Sequence, residues 1–170
     1  MIKKEKYSAA ILVIGDEILS GRTQDTNSNY IAKELEMMGI TTSEIRVIPD
    51  EKSIIIYSVN ELRNKNNYLF TTGGIGPTHD DITADSIAEA FGVDLEVNSE
   101  AYDILKKYYK AIGSEFNEVR QRMARIPIGA TLIKNPISAA PGFKIDNVFV
   151  FAGIPKIMKS MLDNSLDFLN

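Results

Sequence analysis

Short apolar runs alternate along this chain with longer segments in which apolar residues recur every three or four positions. The short runs predict buried strands over Ser8 to Gly15, Glu44 to Ile48 and Tyr68 to Thr72. The spacing after each run predicts helices beginning near Asn27, Asp50 and Thr83. This order of elements is typical of a parallel sheet with helices on both faces.

The second half of the chain is less regular. Its pattern predicts a strand near Leu95, helices over Ser99 to Ile112 and Glu115 to Ala124, short strands after Pro127 and a helix from Pro155. Asp146 and Asn147 separate FKI from VFVF and indicate a tight hairpin turn. We therefore predict an α/β fold with one antiparallel excursion, in a single domain over residues 1–170.

Polar residues at the predicted helix starts suggest their caps. Asp50 and Thr83 stand where an N-cap side chain belongs, and Asn27 is read as a cap rather than a ligand contact. Gly39 and Gly92 indicate the ends of the preceding helices.

Composition and charge narrow the function classes. The 170 residues carry a formal net charge of −4 with mixed signs, so we expect no nucleic acid partner. Cysteine is absent, which excludes disulfides, thiolate zinc sites and cysteine nucleophiles. Since no segment has the roughly 18 apolar residues of a membrane span, we expect a cytoplasmic protein without a membrane partner.

The loop TTGGIGPTHDD, residues 71–81, follows the third strand and contains three glycines in four positions. Gly73, Gly74 and Gly76 allow a ligand to approach the main chain, and successive amides in such a turn form an anion site. The helix beginning near Thr83 adds its positive end. This combination favours a phosphate or pyrophosphate ligand.

Acidic residues lie at the same predicted edge. Asp80 and Asp81 would repel a bare phosphate. A divalent cation bound between the carboxylate and phosphate oxygens would remove this repulsion. Asp50 and Glu17 follow neighbouring strands and could join them. An ordinary turn with an N-capping aspartate explains the same residues without a ligand.

Five segments, taken in order, resemble the molybdopterin-binding domain family, in particular its competence/damage-inducible protein A (CinA-type) branch. They are GDEILSGRTQDTN, VIPDE, TTGGIGPTHDDIT, SAAPGF and FAGIPKIM. The same segments are similar to the N-terminal domain of two-domain eukaryotic FAD synthases. The resemblance runs from about Ser8 to Leu162.

The resemblance implies a three-layer α/β/α fold and a pterin or nucleotide-phosphate ligand. It implies catalytic roles for Asp81 and Asp50 beside a divalent metal, magnesium or else cobalt or nickel. From their places in the sequence we expect Asp80 and Glu17 to join Asp81 and Asp50 as metal ligands. The ligand-binding positions that it implies are Gly73, Gly74, Gly76, Thr78, Ser138, Pro141 and Gly142. It further implies a homo-oligomer, either a dimer or a trimer.

Within the family, Ile75 and the adjacent Asp80–Asp81 pair favour the CinA-type branch over the molybdopterin adenylyltransferases. For that branch the resemblance implies metal-dependent pyrophosphatase activity on ADP-ribose- or FAD-like dinucleotides. A non-catalytic pterin- or nucleotide-binding module and a molybdopterin adenylyltransferase are the alternatives. The amidase activity of a C-terminal CinA domain is not expected, because the chain ends at Asn170.

Three arginines, Arg120, Arg122 and Arg125, cluster in the predicted helix over Glu115 to Ala124 and just beyond it. Their spacing favours a solvated face or a subunit contact over a ligand site.

Overall fold

The computed structural model describes residues 6–169. Its strands are β1 (Ser8–Ile14), β2 (Thr41–Ile48), β3 (Tyr68–Thr72), β4 (Leu95–Val97), β5 (Arg125–Pro127), β6 (Thr131–Ile133), β7 (Gly142–Ile145) and β8 (Val148–Phe151). Its helices are α1 (Asp16–Leu19), α2 (Asn27–Met37), α3 (Lys52–Lys65), α4 (Thr83–Phe91), α5 (Ser99–Ala111), α6 (Glu118–Gln121) and α7 (Pro155–Asp163). Short 3-10 helices cover Arg122–Ala124 and Leu166–Phe168. The predicted domain, 1–170, therefore reaches beyond the described residues at both ends.

One six-stranded sheet organises the molecule, in the order β2-β1-β3-β8-β7-β6. The first four strands are parallel, and β7 and β6 run antiparallel to their neighbours. Strands β7 and β8 form the predicted hairpin, with Asp146 in the left-handed region at φ 50. Because β1, β2, β3 and β8 are parallel, the loops that follow them all meet at one edge of the sheet.

Alternate residues of β1 pack into different layers. Ala10, Leu12 and Ile14 join the apolar core that contains residues of α3, α4 and α5. Ala9, Ile11 and Val13 join a second core with residues of α2 and α7. This alternation confirms the three-layer α/β/α arrangement with a mostly parallel sheet. No helix within residues 6–169 is long and apolar enough to span a bilayer.

Several element bounds differ from the predictions. Strand β2 begins at Thr41 rather than Glu44, because residues 41 and 42 still pair with β1. The residues after β1, predicted as a loop, contain the one-turn helix α1. Helix α6 begins only at Glu118, where the side chain of Asn117 accepts a hydrogen bond from the amide of Arg120. In addition, β4 and β5 form a separate antiparallel pair that the sequence did not indicate.

The three predicted helix caps are wrong. Asn27 and Thr83 are the first residues of α2 and α4, and Glu51 rather than Asp50 precedes α3. At α2 the Asp25 carboxylate instead accepts hydrogen bonds from the amides of Asn27 and Ser28, at 3.0 and 3.2 Å. The side chains of Asn27 and Asp50 instead form hydrogen bonds to residues distant in sequence, and the Thr83 hydroxyl donates to Gly73, ten positions before it.

Candidate ligand-binding cleft

A cleft of about 510 Å³ opens at the edge where the parallel strands end. Its volume lies within the roughly 300–1,000 Å³ of small-molecule sites. Six residues predicted to bind ligand or metal line it: Glu17, Gly73, Gly74, Gly76, Asp81 and Ser138. Apolar residues supply much of the remaining wall: Ile75, Met123, Ala152, Ile154, Ile157 and Met161. The cleft therefore combines polar backbone and carboxylates with an extended apolar surface.

The first two glycines of the loop are required by geometry. Gly73 has φ 105 and Gly74 has φ 73, both in the region that side chains disfavour. A Cβ atom at Gly73 would lie 2.1 Å from the carbonyl oxygen of Ile14, and one at Gly74 would lie 2.1 Å from Oγ1 of Thr83. The Thr83 hydroxyl donates to the Gly73 carbonyl at 2.9 Å, so the loop is fixed to the start of α4.

Asp81 folds back over the glycine loop. Its Oδ2 accepts hydrogen bonds from both the amide and the hydroxyl of Thr78, each at 2.9 Å. A Cβ atom at Gly76 would lie 2.7 Å from the same oxygen. The carboxylate therefore lies against the main chain of Gly76 and borders the cleft. Thr78, predicted to bind ligand, holds Asp81 and is not among the residues that line the cleft.

Asp50 lies behind the glycine loop. Its Oδ2 accepts a hydrogen bond from the Asp16 amide at 3.0 Å, and its own amide donates to Oδ1 of Asp16 at 3.3 Å. Burial raises the pKa of the Asp50 carboxyl; the hydrogen bond from Asp16 opposes this, and the charges of Asp16, Glu17 and Asp81 add to it. Four carboxyl groups thus interact at this edge, although Asp50 does not line the cleft.

Other predicted site residues lie elsewhere. The side chain of Asp80 is 84% exposed and faces His79 at 3.4 Å, so it is turned to solvent rather than to the cleft. Pro141 lines a smaller neighbouring chamber. Gly142 is buried in β7, where a Cβ atom would lie 2.5 Å from the carbonyl oxygen of Val150, so its place reflects packing. Within residues 6–169, no three acidic, histidine or cysteine side chains group as a ready metal site.

Two asparagines form hydrogen bonds beside the cleft: Asn27, which the sequence indicated only as a helix cap, and Asn135, which it did not indicate. The buried Asn27 amide donates to Oγ1 of Thr72 and to the carbonyl of Gly153, both at 2.8 Å. The Asn135 amide donates to Oγ of Ser138 at 2.7 Å, which orients that predicted ligand-binding hydroxyl. Such partners lie far apart in sequence or within an irregular loop, so no local pattern indicated them.

Comparison with known proteins identifies the family. Residues 10–170 match the family model described as "Probable molybdopterin binding domain". The chain belongs to the molybdopterin-binding domain family. Within it, the domain is of the CinA type. It is 37% identical to a CinA-like protein of Citrifermentans bemidjiense over 161 residues, which cover 92% of this chain and 39% of the relative. It also matches the structure of CinA from Thermoplasma acidophilum with a TM-score of 0.88 and 28% identity, covering 96% of this chain and 98% of that one.

The fold is also that of the molybdopterin biosynthesis enzyme MoaB from Thermus thermophilus. The TM-score is 0.64 at 20% identity, covering 96% of this chain and 91% of MoaB, and this likeness concerns the fold alone. Relatives from Caldivirga maquilingensis and Pyrobaculum arsenaticum are longer, and the chain spans 63% of the length of each.

Proposed function

We propose that this domain binds a phosphate-bearing pterin or dinucleotide in the cleft and, with a divalent cation, hydrolyses a diphosphate linkage in it. The observation that carries the proposal is the composition of one cleft wall, where the glycine loop meets the carboxylates of Glu17 and Asp81. Backbone N–H groups suit phosphate oxygens, and the apolar wall suits a planar ring.

The carboxylates suit a cation that arrives with its ligand. Magnesium is commonly held by one or two carboxylates together with substrate phosphates, rather than by a cage made entirely of protein. Glu17 and Asp81 line the cleft and would supply those carboxylates, with Asp50 behind them. When bound, such a cation neutralises the diphosphate and lowers the pKa of a bound water.

The chain's own groups would then orient and stabilise the reacting phosphate. The Gly73 amide already donates to the carbonyl of Phe151 at 3.1 Å, so the donors for non-bridging oxygens come from Gly74 to Gly76. A water oxygen forms a bond to phosphorus while the bridging P–O bond breaks, which yields two phosphomonoesters. Glu17 or Asp81 accepts the proton released by the water.

A binding module without catalysis is the second candidate. One observation favours it: Oδ2 of Asp81 is already occupied by two hydrogen bonds from Thr78, which leaves only Oδ1 for a cation. Such a module would bind its ligand equally well with and without a chelator.

The test is incubation of the domain with ADP-ribose or FAD and magnesium, cobalt or nickel, followed by chromatography for AMP. Asp81→Ala should abolish cleavage, whereas Asp80→Ala, a matched change at the exposed neighbour, should cleave like wild type. Absence of AMP with all three metals, or equal rates for the two variants, would contradict the hydrolytic proposal. Calorimetry with and without chelator then decides between hydrolase and binding module.

A further inference from the structure

A chamber of about 20 Å³ adjoins the cleft behind the glycine loop. It shares Ile75, Gly76, Asp81 and Met123 with the cleft, and two arginines, Arg122 and Arg125, also line it. A space of about 10–15 Å³ is sufficient for one water-sized group. The chamber can therefore receive a single oxygen of a ligand that lies in the cleft, but not a whole phosphate.

Two of the three clustered arginines have partners. Arg120 donates to Oγ of Ser114 at 2.8 Å and lies over the ring of Tyr109 at 4.4 Å. Arg125 makes two hydrogen bonds to the Asp85 carboxylate, at 3.2 and 3.0 Å. The guanidinium groups of Arg120 and Arg125 therefore bond within the domain, and the solvated face or subunit contact expected for the cluster stays a prediction.

Arg122 differs from both. Within residues 6–169 it forms no ion pair and no side-chain hydrogen bond, and its Nε is buried without a partner. The Nε of Arg125 is also buried without a partner, but the two terminal nitrogens of that guanidinium bond to Asp85. A buried donor without an acceptor is costly, more so when the group is charged. A guanidinium presents several donors in a planar fork that matches phosphate and carboxylate oxygens. The group is thus placed to receive an anion.

The charge of the site adds a second argument. Among the described residues, those that line the cleft include two carboxylates, Glu17 and Asp81, and no lysine, arginine or histidine. A cationic side chain would offset these negative charges and strengthen the binding of an anionic ligand. Of the two arginines at the chamber beside Gly76 and Asp81, Arg125 is paired with Asp85, whereas Arg122 has no side-chain partner among the described residues.

We propose that Arg122 binds one phosphoryl oxygen of the ligand through this chamber and thereby selects phosphate-bearing ligands. The inference rests on the proposed phosphate-bearing ligand, but it requires binding only and not hydrolysis.

Calorimetry with ADP-ribose, in magnesium and in chelator, tests the proposal. Arg122→Met should weaken binding about tenfold to a hundredfold, the loss expected for one charged hydrogen-bonded contact. Arg122→Lys keeps the charge without the fork and should lie between Arg122→Met and wild type. Arg120→Met, which removes a guanidinium already satisfied by Ser114, should bind like wild type. Adenosine, which lacks phosphate, should not distinguish Arg122→Met from wild type.

Thermal unfolding separates a ligand contact from a structural role. Arg122→Met should unfold at or above the wild-type temperature, because it removes a buried unpaired donor. Equal ADP-ribose affinity of Arg122→Met and wild type would overturn the role of Arg122. A wild type that binds but does not cleave would overturn hydrolysis alone, and one that binds neither ADP-ribose, FAD nor pyrophosphate would overturn both.

Discussion

Replacing Gly76 by alanine tests the position of Asp81 without any ligand. Gly76 does not have a positive φ, so alanine carries no backbone penalty there. Its Cβ would lie 2.7 Å from Oδ2 and 3.0 Å from Cγ of Asp81, whereas non-bonded carbons prefer about 3.5–4.0 Å. The carboxylate must therefore move and release its two hydrogen bonds from Thr78.

The magnitude follows from those two hydrogen bonds. Each contributes about 0.5–1.5 kcal/mol, so their release costs about 1–3 kcal/mol. Alanine recovers about 0.4–1 kcal/mol by restricting the unfolded chain. Gly76→Ala should therefore lower the free energy of unfolding by about 0–2.6 kcal/mol, with a midpoint of about 1.3 kcal/mol. Each kcal/mol lowers the unfolding temperature by about 2–4 °C.

The effect of Gly76→Ala on the free energy of unfolding should change sign in the Asp81→Ala background. With no carboxylate to displace, only the gain of about 0.4–1 kcal/mol remains, so Gly76→Ala should stabilise the Asp81→Ala protein. Urea unfolding of wild type, the two single variants and the double variant completes the cycle. If Gly76→Ala destabilises both backgrounds equally, the contact between Gly76 and the Asp81 carboxylate is absent and the reasoning fails.

Three further substitutions test the frame of the site. Asp50→Asn should raise the unfolding temperature at neutral pH without metal. Because folding raises the pKa of the Asp50 carboxyl, the wild-type protein loses stability as the pH rises above about 4. The difference between the two proteins should therefore vanish in acid, and thermal melts over a pH series would show this. Gly73→Ala should destabilise more than Gly113→Ala, which shares a positive φ but meets nothing within 4 Å; equal urea midpoints would contradict the close approach of Gly73 to β1. Thr83→Val should cost about 1–3 kcal/mol through the unpaired Gly73 carbonyl, and an unchanged midpoint would contradict the buried hydrogen bond.

Local patterns predicted most of the sheet. Strand β3 has the predicted bounds and β1 differs by one residue, because short apolar runs between turns leave little freedom in placing a buried strand. Asp146 fixes the β7–β8 hairpin in the same local way. The approach of Asp81 to Gly76 was also predictable, since only five positions separate them.

Contacts between distant loops were not predictable. Asp50 and Asn27 have the residue types of helix caps, but their side chains bind Asp16, 34 positions away, and Gly153, 126 positions away. A cap is read from a few neighbouring residues, whereas such contacts depend on which strands become neighbours in the sheet. The position of Arg122 at the chamber was not predicted for the same reason, because its sequence neighbours do not indicate which loops lie beside it.

The charges of the proposed site imply linked binding of cation and ligand. Without a cation, burial raises the pKa of the Asp50 carboxyl, and the nearby charges of Asp16, Glu17 and Asp81 raise it further. A phosphate-bearing ligand alone would add to that negative charge, while a cation alone would lack the phosphate oxygens that complete its shell. The bound cation should therefore increase the affinity for the ligand, and the bound ligand should increase the affinity for the cation. Because linkage is reciprocal, the two affinities rise by the same factor. Arg122 borders the neighbouring chamber, which neither Glu17 nor Asp50 lines, so its contribution should persist when the cation is removed. Binding measured in magnesium and in chelator therefore distinguishes the contribution of Arg122 to phosphate affinity from that of the metal.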